Sequence, residues 1–397
     1  MEILFLAPRP PWPTDTGAKI RTFHLLEALA RAHEVTCATF IDGPEDAAAA
    51  EALRAKVSLR HLELVTRPHG LLARGLDAAR GVVGPLPYSM RKYERSAMTS
   101  AVRRIVAARR PALVHCDHLH MAPYGARSGV PFTIDEHNVE SLIWRRYARS
   151  ERGLKRLAFA EQAFLWTRAE GRAAAQAWLC LMTSEADRRQ LLRLAPARAV
   201  VVPNGVNLEY FGDLQVAPAE SGAIVLTGSM DWQPNEDAAV WFVEAIMPEA
   251  RRALGGARFA AVGRNPSPKV QKLAGPDVVV TGTVPDVRPY LRGALALVVP
   301  IRVGGGTRLK ILEAFAARVP VVSTRVGAEG IACEDGRDIL YAETPAEFAA
   351  ALARLKAEPA LRERLTTAGR ALVEARYGWQ AIGGELARIY AAAPGHR

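Results

Sequence analysis

The chain has 397 residues, of which 49% are hydrophobic and 23% are charged. This is long enough for two domains with substantial cores, and it excludes a disordered protein. Lysine and arginine (52) outnumber aspartate and glutamate (41), so the formal net charge is +11. That excess suits an acidic partner: nucleic acid, anionic lipid or a phosphorylated small molecule.

Cellular location is indicated by three features of the sequence. The four cysteines are far apart and lack metal-site spacing, so we expect reduced thiols in a cytosolic protein. The apolar run at residues 1–8 has no basic flank and is too short for a signal peptide. No stretch approaches the about 18 consecutive apolar residues of a membrane span, so we expect any membrane contact to be peripheral.

Short apolar, β-rich runs alternate with longer helical patterns along the whole chain, which indicates doubly wound parallel α/β sheets. In the first half we predict strands at 3–7, 35–40, 59–65, 113–116, 132–134, 178–182 and 200–202. In the second half we predict strands at 224–227, 259–262, 278–281, 295–299, 319–323 and 339–341. The turn signal Pro-Asn-Gly at 203–205 places the seam between two domains.

The loop after the first strand, residues 8–21, is rich in proline and leads into an amphipathic helical pattern. Loops at the carboxyl ends of strands meet ligands in such sheets. Gly17 would let the backbone approach a ligand closely, with Lys19 and Arg21 beside it, so we interpret it as a binding residue. The alternative is an ordinary turn glycine.

Histidines follow two successive predicted strands. His137 follows the strand at 132–134, and His118 and His120 follow the strand at 113–116. Histidine suits a site of changing charge because its pKa lies near neutrality. The alternative is that His137 is satisfied by the neighbouring carboxylates of Asp135, Glu136 and Glu140. We expect His118 and His120 to line an acceptor site, because a metal would need further ligands at suitable spacing.

A basic stretch at 142–159 interleaves cations with apolar and aromatic residues. Its cations are Arg145, Arg146, Arg149, Arg152, Lys155 and Arg156. This pattern fits a helix that lies on an anionic membrane surface. The alternative is an ordinary solvated cationic face.

In the second half, polar residues follow three strands. Gly228 and Ser229 come after the first of them and are expected to form the wall of a cleft. Arg264 follows the second and is placed to reach a phosphate or a base, with a solvated loop cation as the alternative. Thr283 follows the third, where the backbone of a turn would lie against a base.

The segment 304–323 runs from a triple glycine through a helical pattern to a strand. Gly305, Gly306 and Thr307 would place N–H groups at a helix N-terminus, where the macrodipole favours a bound anion. A tight turn of a plain βαβ unit is the alternative.

Charged residues after the glycines favour a ligand. Arg308 and Lys310, in the expected first turn, oppose the helix dipole unless an anion lies nearby. Glu313 lies one turn further on, within reach of the same ligand. The pattern therefore predicts a site for a nucleoside diphosphate.

Together these features resemble the GT-B glycosyltransferases and, within them, the retaining glycosyltransferase family 4. The motifs that carry the resemblance are the loop with Gly17, residues 203–207 followed by aromatic residues, the helix with Glu313, and residues 376–379. More narrowly, residues 17–21, 228–235 and 304–310 resemble the branch associated with exopolysaccharide and exosortase (PEP-CTERM) systems.

The resemblance implies two Rossmann-like domains that face a central cleft: an acceptor domain at 1–205 and a donor domain at 206–375, with a closing helix at 376–397 that returns to the first. It implies that Glu313 binds the ribose of a UDP- or GDP-sugar and that His137 faces the reacting sugar. Arg308 and Lys310 would stabilise the leaving diphosphate without a metal or another cofactor.

The chain departs from the family pattern at two places. Gly305 stands eight positions before Glu313, where the family has a glutamate that contacts the sugar. The usual arginine and lysine after the first strand of the second domain are also missing from 227–236. Arg308 and Lys310 are the cations that could replace them.

We therefore expect a cytoplasmic, metal-independent, retaining hexosyltransferase that moves a sugar from a nucleotide donor to a polysaccharide or lipid-linked saccharide. Peripheral contact with the anionic inner face of the plasma membrane would explain the basic stretch. A sugar-nucleotide epimerase on the same fold and a non-catalytic nucleotide-binding scaffold are the alternatives. Nucleic acid is not expected as a partner, because only the net charge suggests it.

Overall fold

The computed structural model describes residues 1–67, 86–213, 222–304 and 306–394. The chain divides into two compact units. The first comprises Met1–Pro203 and the C-terminal segment from Gln380, and the second comprises Asn204–Trp379. The last helix starts at Trp379 rather than at the predicted residue 376, because the helix before it continues to Arg376.

The first unit is built on a seven-stranded parallel sheet with the order β3-β2-β1-β4-β5-β6-β7. Its strands are β1 (Glu2–Ala7), β2 (Glu34–Ile41), β3 (His61–Thr66), β4 (Leu113–Asp117), β5 (Phe132–Glu136), β6 (Leu179–Met182) and β7 (Ala199–Val201). β1, β4 and β5 are almost entirely buried, as expected when helices cover both faces of a parallel sheet.

Helices connect these strands. They are α1 (Gly17–Ala32), α2 (Pro44–Arg54), α3 (Tyr88–Tyr93), α4 (Ser96–Arg109), α5 (Ala122–Ala126), α6 (Glu140–Ser150), α7 (Gly153–Gln176) and α8 (Glu185–Leu192). A short 3₁₀ turn, Leu119–Met121, follows β4. α1 begins after Thr16, whose side-chain oxygen accepts the N–H of Lys19 as an N-cap.

The second unit repeats the plan with six parallel strands in the order β10-β9-β8-β11-β12-β13. They are β8 (Ile224–Thr227), β9 (Phe259–Val262), β10 (Val278–Val280), β11 (Ala296–Val299), β12 (Val321–Ser323) and β13 (Leu340–Tyr341). β12 starts later than the predicted residue 319, directly after Pro320, which has no N–H to donate to a ladder.

The helices of the second unit are α9 (Leu208–Gly212), α10 (Gln233–Trp241), α11 (Met247–Leu254), α12 (Pro268–Gln271), α13 (Arg288–Leu291), α14 (Leu309–Ala316), α15 (Pro345–Ala357) and α16 (Pro359–Arg376). A π-helical turn, Phe242–Ile246, joins α10 to α11. α17 (Trp379–Ala391) then follows, and all but its first residue belongs to the first unit.

The prediction of doubly wound parallel sheets is confirmed. In each sheet the strand order reverses once, between β1 and β4 in the first and between β8 and β11 in the second. Loops at the carboxyl ends of strands on either side of such a reversal form the binding crevice of open α/β sheets. These two places are therefore where each unit is expected to bind its ligand.

Candidate active site

The first unit holds a buried arginine–aspartate pair at the carboxyl end of its sheet. Arg21 of α1 donates from Nε to both carboxylate oxygens of Asp135, at 3.1 and 3.0 Å, and from Nη2 to one of them at 2.5 Å. Its Nη1 donates to the carbonyls of Val202 and Pro203, at 2.9 and 3.1 Å. Charge-assisted bonds in this fork geometry hold Asp135 in one orientation.

His137 lies between two carboxylates. Its Nε2 is 2.8 Å from an oxygen of Asp117 and 3.2 Å from an oxygen of Asp135. These aspartates are register partners at the ends of β4 and β5. Burial alone would lower the pKa of His137, but the two carboxylates raise it to about 9. The ring is therefore an imidazolium at neutral pH. Its contacts are those of a histidine paired with carboxylates, as in the alternative interpretation of the sequence, and one of the two is Asp135.

Asp117 is the centre of this group of residues. Besides His137, it accepts hydrogen bonds at 3.0 Å from the hydroxyl of Thr22 in α1. Although burial alone would raise the pKa of Asp117, the imidazoles of His118 and His137 hold it well below the ordinary value. We call Arg21, Thr22, Asp117, Asp135 and His137 the charge network. Its two carboxylates and two cations balance within a buried space.

The two histidines after β4 have different surroundings. His118 has a positive φ of 64°, a strained conformation that often marks functional sites, and its ring stacks on His137 with centroids 3.6 Å apart. The ring of His120 instead contacts Tyr93 and Trp166, with centroids 5.1 and 5.5 Å away. Burial and the nearby His118 lower the pKa of His120 to about 3. Only His118 adjoins the charge network.

Among the described residues, Asp117, His118 and His137 form one group that could hold a metal ion, since their ligand atoms lie within 4.8 Å of one another. From the sequence, no metal is expected there. A metal would require a neutral His137 in place of the imidazolium. Proton and metal are thus competing ways to balance the two aspartates.

A second set of acids lies on the other face of β5. Glu136 adjoins Asp135 in sequence, so its side chain points to the opposite side of the strand, towards Glu170 of α7. One oxygen of Glu170 accepts the backbone N–H of Ser141 at 3.1 Å. Burial and the neighbouring acids Glu170 and Glu140 raise the pKa of Glu136 well above its ordinary value. Glu136 is therefore not a partner of His137.

In the second unit, two glycines allow the loops after β8 and β9 to meet. Gly263 has a φ of 151°, and a Cβ there would lie 1.8 Å from the carbonyl oxygen of Gly228. Gly228 has a φ of 142°, and a Cβ there would lie 2.6 Å from Nδ2 of Asn235. Neither position tolerates another residue without a backbone shift.

A chain of polar contacts links these loops to α14. Lys310 donates from Nζ to Oδ1 of Asn235 at 2.8 Å, and Asn235 donates from Nδ2 to the carbonyl of Ser229 at 2.9 Å. The Nε of Arg264 donates to Oγ of Ser229, also at 2.9 Å. Burial, and then the nearby Arg308 cation, lower the pKa of Lys310 to about 7. Lys310 is therefore a cation that a bound anion would stabilise.

The start of α14 corrects one detail of the sequence analysis. The helix begins at Leu309, with Arg308 in an extended N-cap conformation, so Gly306 and Thr307 precede the helix rather than supplying its first-turn amides. Arg308 is buried and donates from Nη1 to the carbonyl of Gly306. The Oγ1 of Thr307 is buried and has no hydrogen-bond partner within the described part of the chain. Gly305 lies outside the described residues.

Glu313 lies one turn into α14 and is only partly buried. Burial raises its pKa to about 7, although the nearby Lys310 acts in the opposite direction. Within residues 1–67, 86–213, 222–304 and 306–394, its carboxylate accepts no hydrogen bond. It is therefore available to a ligand that brings hydroxyl groups.

The structure does not bring all the predicted site residues together. Gly228, Ser229, Arg264, Arg308, Lys310 and Glu313 belong to one region of the second unit, and His118 and His137 to one region of the first. Gly17 is exposed as the first residue of α1, and Thr283 is exposed in a turn after β10. No described contact links Gly17 to the other site residues of the first unit, or Thr283 to those of the second.

Three residues with central contacts were missed as site residues: Thr22, Asp117 and Asn235. Asp117 could have been found, because it ends the strand before the histidine pair, just as Asp135 ends the next strand. Asn235 could not, since its contact with Lys310 spans 75 positions of sequence. Only the tertiary fold, which brings the start of α10 to Lys310, creates it.

Two family models match the chain. Residues 16–210 match the one described as Glycosyltransferase Family 4, and residues 221–358 match the one described as Glycosyl transferases group 1. The chain belongs to the GT-B glycosyltransferases. This glycosyltransferase is 28% identical over 374 residues to a D-inositol 3-phosphate glycosyltransferase of Thermomonospora curvata, with 82% of this chain and 83% of the relative covered.

Solved structures show the same fold for this glycosyltransferase. Sucrose-phosphate synthase from Thermosynechococcus elongatus superposes with a TM-score of 0.73 at 19% identity, with 98% of each chain covered. HepE of Anabaena in complex with UDP-glucose superposes with a TM-score of 0.69 at 14% identity, with 99% of this chain and 100% of HepE covered. No helix in the described part of this glycosyltransferase is both long and apolar enough to cross a membrane.

Proposed function

We propose that this glycosyltransferase moves a hexose from a nucleotide sugar to a saccharide, free or lipid-linked, with retention of anomeric configuration. The observation that carries the proposal is the group around α14. The buried side chains of Lys310 and Arg308 adjoin Glu313, whose carboxylate accepts no hydrogen bond from the described residues. A diphosphate beside a ribose diol complements both charges in one ligand.

In this mechanism the bond between the anomeric carbon and the diphosphate oxygen breaks, the acceptor oxygen bonds to the same carbon, and the acceptor hydroxyl proton passes to the leaving diphosphate oxygen. The leaving diphosphate gains negative charge. Arg308 and Lys310 oppose that charge from positions fixed before the reaction, which is how a preorganised site lowers a barrier. A bound diphosphate also favours the protonated form of Lys310, which burial disfavours.

His137 is proposed to face the reacting sugar. An imidazolium held by Asp117 and Asp135 keeps its Nε2 occupied, so the ring acts through its charge and its Nδ1 edge rather than as a general base. His118 and His120 are proposed to bind the acceptor. Because His118 stacks on His137, His118 is proposed to contact the acceptor more closely than His120 does.

The donor base is proposed to be uracil, as in the UDP-glucose bound by the HepE protein of Anabaena, with GDP as the alternative. Calorimetry and thermal shift against UDP, GDP and their sugar conjugates would decide, because a ligand that binds only the folded state raises stability. A selective response that EDTA leaves unchanged supports metal independence. If EDTA abolishes the response and Zn²⁺ or Mn²⁺ restores it, the metal-independent mechanism is wrong.

Two substitutions separate donor binding from turnover. Glu313→Gln should weaken nucleotide binding about tenfold, the range of one lost charge-assisted hydrogen bond, while Glu363→Gln on the exposed face of α16 serves as the control. His137→Gln should leave nucleotide affinity unchanged and lower kcat at least about a hundredfold. Transfer at the wild-type rate by both Glu313→Gln and His137→Gln would contradict the proposed site.

The same substitutions distinguish the alternatives. A sugar-nucleotide epimerase needs general acid and base groups at both faces of the sugar, and it would convert the donor sugar in the absence of any acceptor. A scaffold that has lost turnover would bind nucleotide, with Glu313 contributing, yet release no sugar. Incubation of UDP-sugars with and without a saccharide acceptor, followed by product analysis, separates these outcomes.

Assignment to the exopolysaccharide-associated branch is also a proposal, supported by the motifs at 17–21, 228–235 and 304–310. It predicts a lipid-linked acceptor at the cytoplasmic face of a membrane. The α6–α7 hairpin offers a surface for that face, which we define as Arg149, Arg152, Leu154, Arg156, Leu157 and Phe164. Of these, Leu154, Leu157 and Phe164 are 84%, 66% and 57% exposed.

This surface combines the two forces that hold a peripheral protein on anionic lipid, namely exposed apolar side chains and nearby cations. Aromatic contacts of Trp144 and Tyr147 with Phe159 fill the inside of the hairpin, so the apolar residues left outside are available to lipid. A cavity of about 350 Å³ between the two helices is lined by arginines that include Arg145 and Arg149.

Sedimentation with phosphatidylglycerol vesicles tests the membrane contact. Replacing Leu154, Leu157 and Phe164 by serine should reduce binding at every salt concentration, because apolar insertion is not screened. Replacing the three arginines by glutamine should remove the salt dependence. Val279→Ser, at an exposed position of the second unit, is the control. Equal sedimentation of all variants would remove the membrane contact from the proposal.

A further inference from the structure

The C-terminal helix α17 packs closely on α1, the helix that carries Arg21 and Thr22. A Cβ on Gly383 would lie 2.8 Å from the Cβ of Ala28, a separation that packed carbon atoms do not tolerate. The glycine therefore lets the two helices approach to a distance that alanine would forbid. Residues of α1 bind both aspartates of the charge network. The position of α17 against α1 therefore affects the position of those aspartates.

A second contact reaches the network through the sheet. The phenol oxygen of Tyr390 is 2.6 Å from Nδ1 of His115, and neither residue is exposed. The His115 ring stacks on Phe5 of β1 with centroids 4.3 Å apart. Burial lowers the pKa of His115 to about 4 and raises that of Tyr390 well above its ordinary value. The ring is thus neutral and the phenol protonated, so the two groups share one hydrogen bond whose donor depends on the tautomer of His115.

The register of the sheet places this contact directly below the network. His115 pairs with Thr133, and two residues further along the same strands Asp117 pairs with Asp135. Residues two apart on a strand share a face of the sheet. The two aspartates therefore lie on the same face of the sheet as His115 and Thr133, two residues beyond the residue that Tyr390 contacts.

We propose that α17 is a positioning element for the charge network, in which Tyr390 fixes the layer beneath Asp117 and Asp135 and Gly383 sets the distance to α1. Neither residue touches the network itself. The effect on turnover rests on the proposed transferase function, whereas the effect on the geometry around His137 does not.

In EDTA-treated protein, where no metal competes with the proton, the titration of His137 reports that geometry, because it depends on the distances from its ring to the surrounding charges. Several groups act on His137 or are acted on by it. They are His115 and Asp117 of β4, His118 and His120 after it, Asp135 of β5 and Glu140 of α6. A lengthening of either aspartate contact would lower the pKa of His137 from its value of about 9.

The first test is Tyr390→Phe in the full chain, with Tyr377→Phe as the matched control. Tyr377 is also a buried tyrosine with a hydroxyl hydrogen bond, from the N–H of Ala332 at 3.0 Å, but it lies in the second unit. NMR of histidine-labelled protein, assigned with His137→Gln, follows the titration. We expect Tyr390→Phe to lower the His137 pKa by about half a unit or more and Tyr377→Phe to leave it unchanged.

The second test uses the glycine contact. Gly383→Ala should shift the His137 titration in the same direction, while Gly384→Ala, where a Cβ meets nothing within 4 Å, should not. The double variant Gly383→Ala/Ala28→Gly removes the opposing carbon and should restore the wild-type titration. General damage to folding predicts no such rescue.

Transfer assays then connect the geometry to the reaction. Tyr390→Phe should lower kcat about tenfold with KM for the donor unchanged, because the donor groups lie in the second unit. The proposal is overturned if Tyr390→Phe and Tyr377→Phe give the same His137 titration, or if Ala28→Gly fails to rescue Gly383→Ala. If the wild type transfers no sugar, the proposed function fails, but the titrations still decide the role of α17.

Discussion

Lys310→Met tests whether the buried lysine of α14 binds an anion. Burial lowers the pKa of Lys310 to about 7 in the structure without ligand, and its Nζ donates to Asn235 at 2.8 Å. A diphosphate beside Nζ would favour the charged form and raise the pKa towards its ordinary value. Binding of a nucleoside diphosphate by the wild type should therefore take up a proton, and its affinity should fall with rising pH.

The magnitude follows from the two pKa values. With a free pKa of about 7 and a bound value near the ordinary ~10.5, the charged fraction of the free protein falls from about one half at pH 7 to about one per cent at pH 9. By linkage the affinity falls about fiftyfold over this range, or about 2.3 kcal/mol. Starting at pH 7 keeps the nucleotide phosphates ionised throughout, because their last pKa is about 6.

Isothermal titration calorimetry with UDP at pH 7, 8 and 9 and constant ionic strength measures the slope. Two buffers with different ionisation enthalpies at pH 8 measure the uptake, which should be close to one proton. Lys310→Met should bind weakly, with a flat pH profile and no uptake. Lys269→Met is the control, since Lys269 is an exposed lysine of the same unit that pairs with Glu236.

Two results would refute this reasoning. One is a wild-type affinity that does not change between pH 7 and 9. The other is the same pH slope in Lys310→Met as in the wild type, which would assign the proton to another group. Either result would leave Lys310 as a structural partner of Asn235 rather than a ligand-binding cation.

Three further predictions concern stability and pH. Glu170→Gln should stabilise the first unit by about 3 kcal/mol at pH 8 and by nothing at pH 4. Burial raises the pKa of Glu170 from 4.5 to about 7, so the stability that the protonated carboxyl provides is lost as pH rises through that window. Thermal melts at both pH values check this, and a pH-independent shift would contradict it. Gly263→Ala should unfold the second unit or abolish nucleotide binding, because its Cβ would meet the carbonyl of Gly228 at 1.8 Å, whereas Gly255→Ala, with open space around it, should cost only about 1 kcal/mol. At saturating substrate, kcat should fall as pH rises through about 9, where His137 loses its proton; a flat profile to pH 10 would exclude a role for the imidazolium.

The sequence alone determined the architecture, because the alternation of apolar runs with helical patterns leaves a doubly wound sheet as the way to bury both. All thirteen predicted strand positions correspond to strands. It also predicts a ligand loop at 304–313, since glycines, cations and an acid follow one another there within a few residues. These signals are local, so pattern reading can find them.

What only the tertiary structure decided is which distant residues meet and with what charge. The register between β4 and β5 brings Asp117 beside Asp135, so that His137 becomes an imidazolium between them. The fold of the second unit brings the start of α10 to α14, so that Lys310 donates to Asn235, and burial there gives the lysine a pKa of about 7. Contacts across 75 residues and the loss of solvent around a charge depend on the folded core as a whole, and no spacing along the chain encodes them.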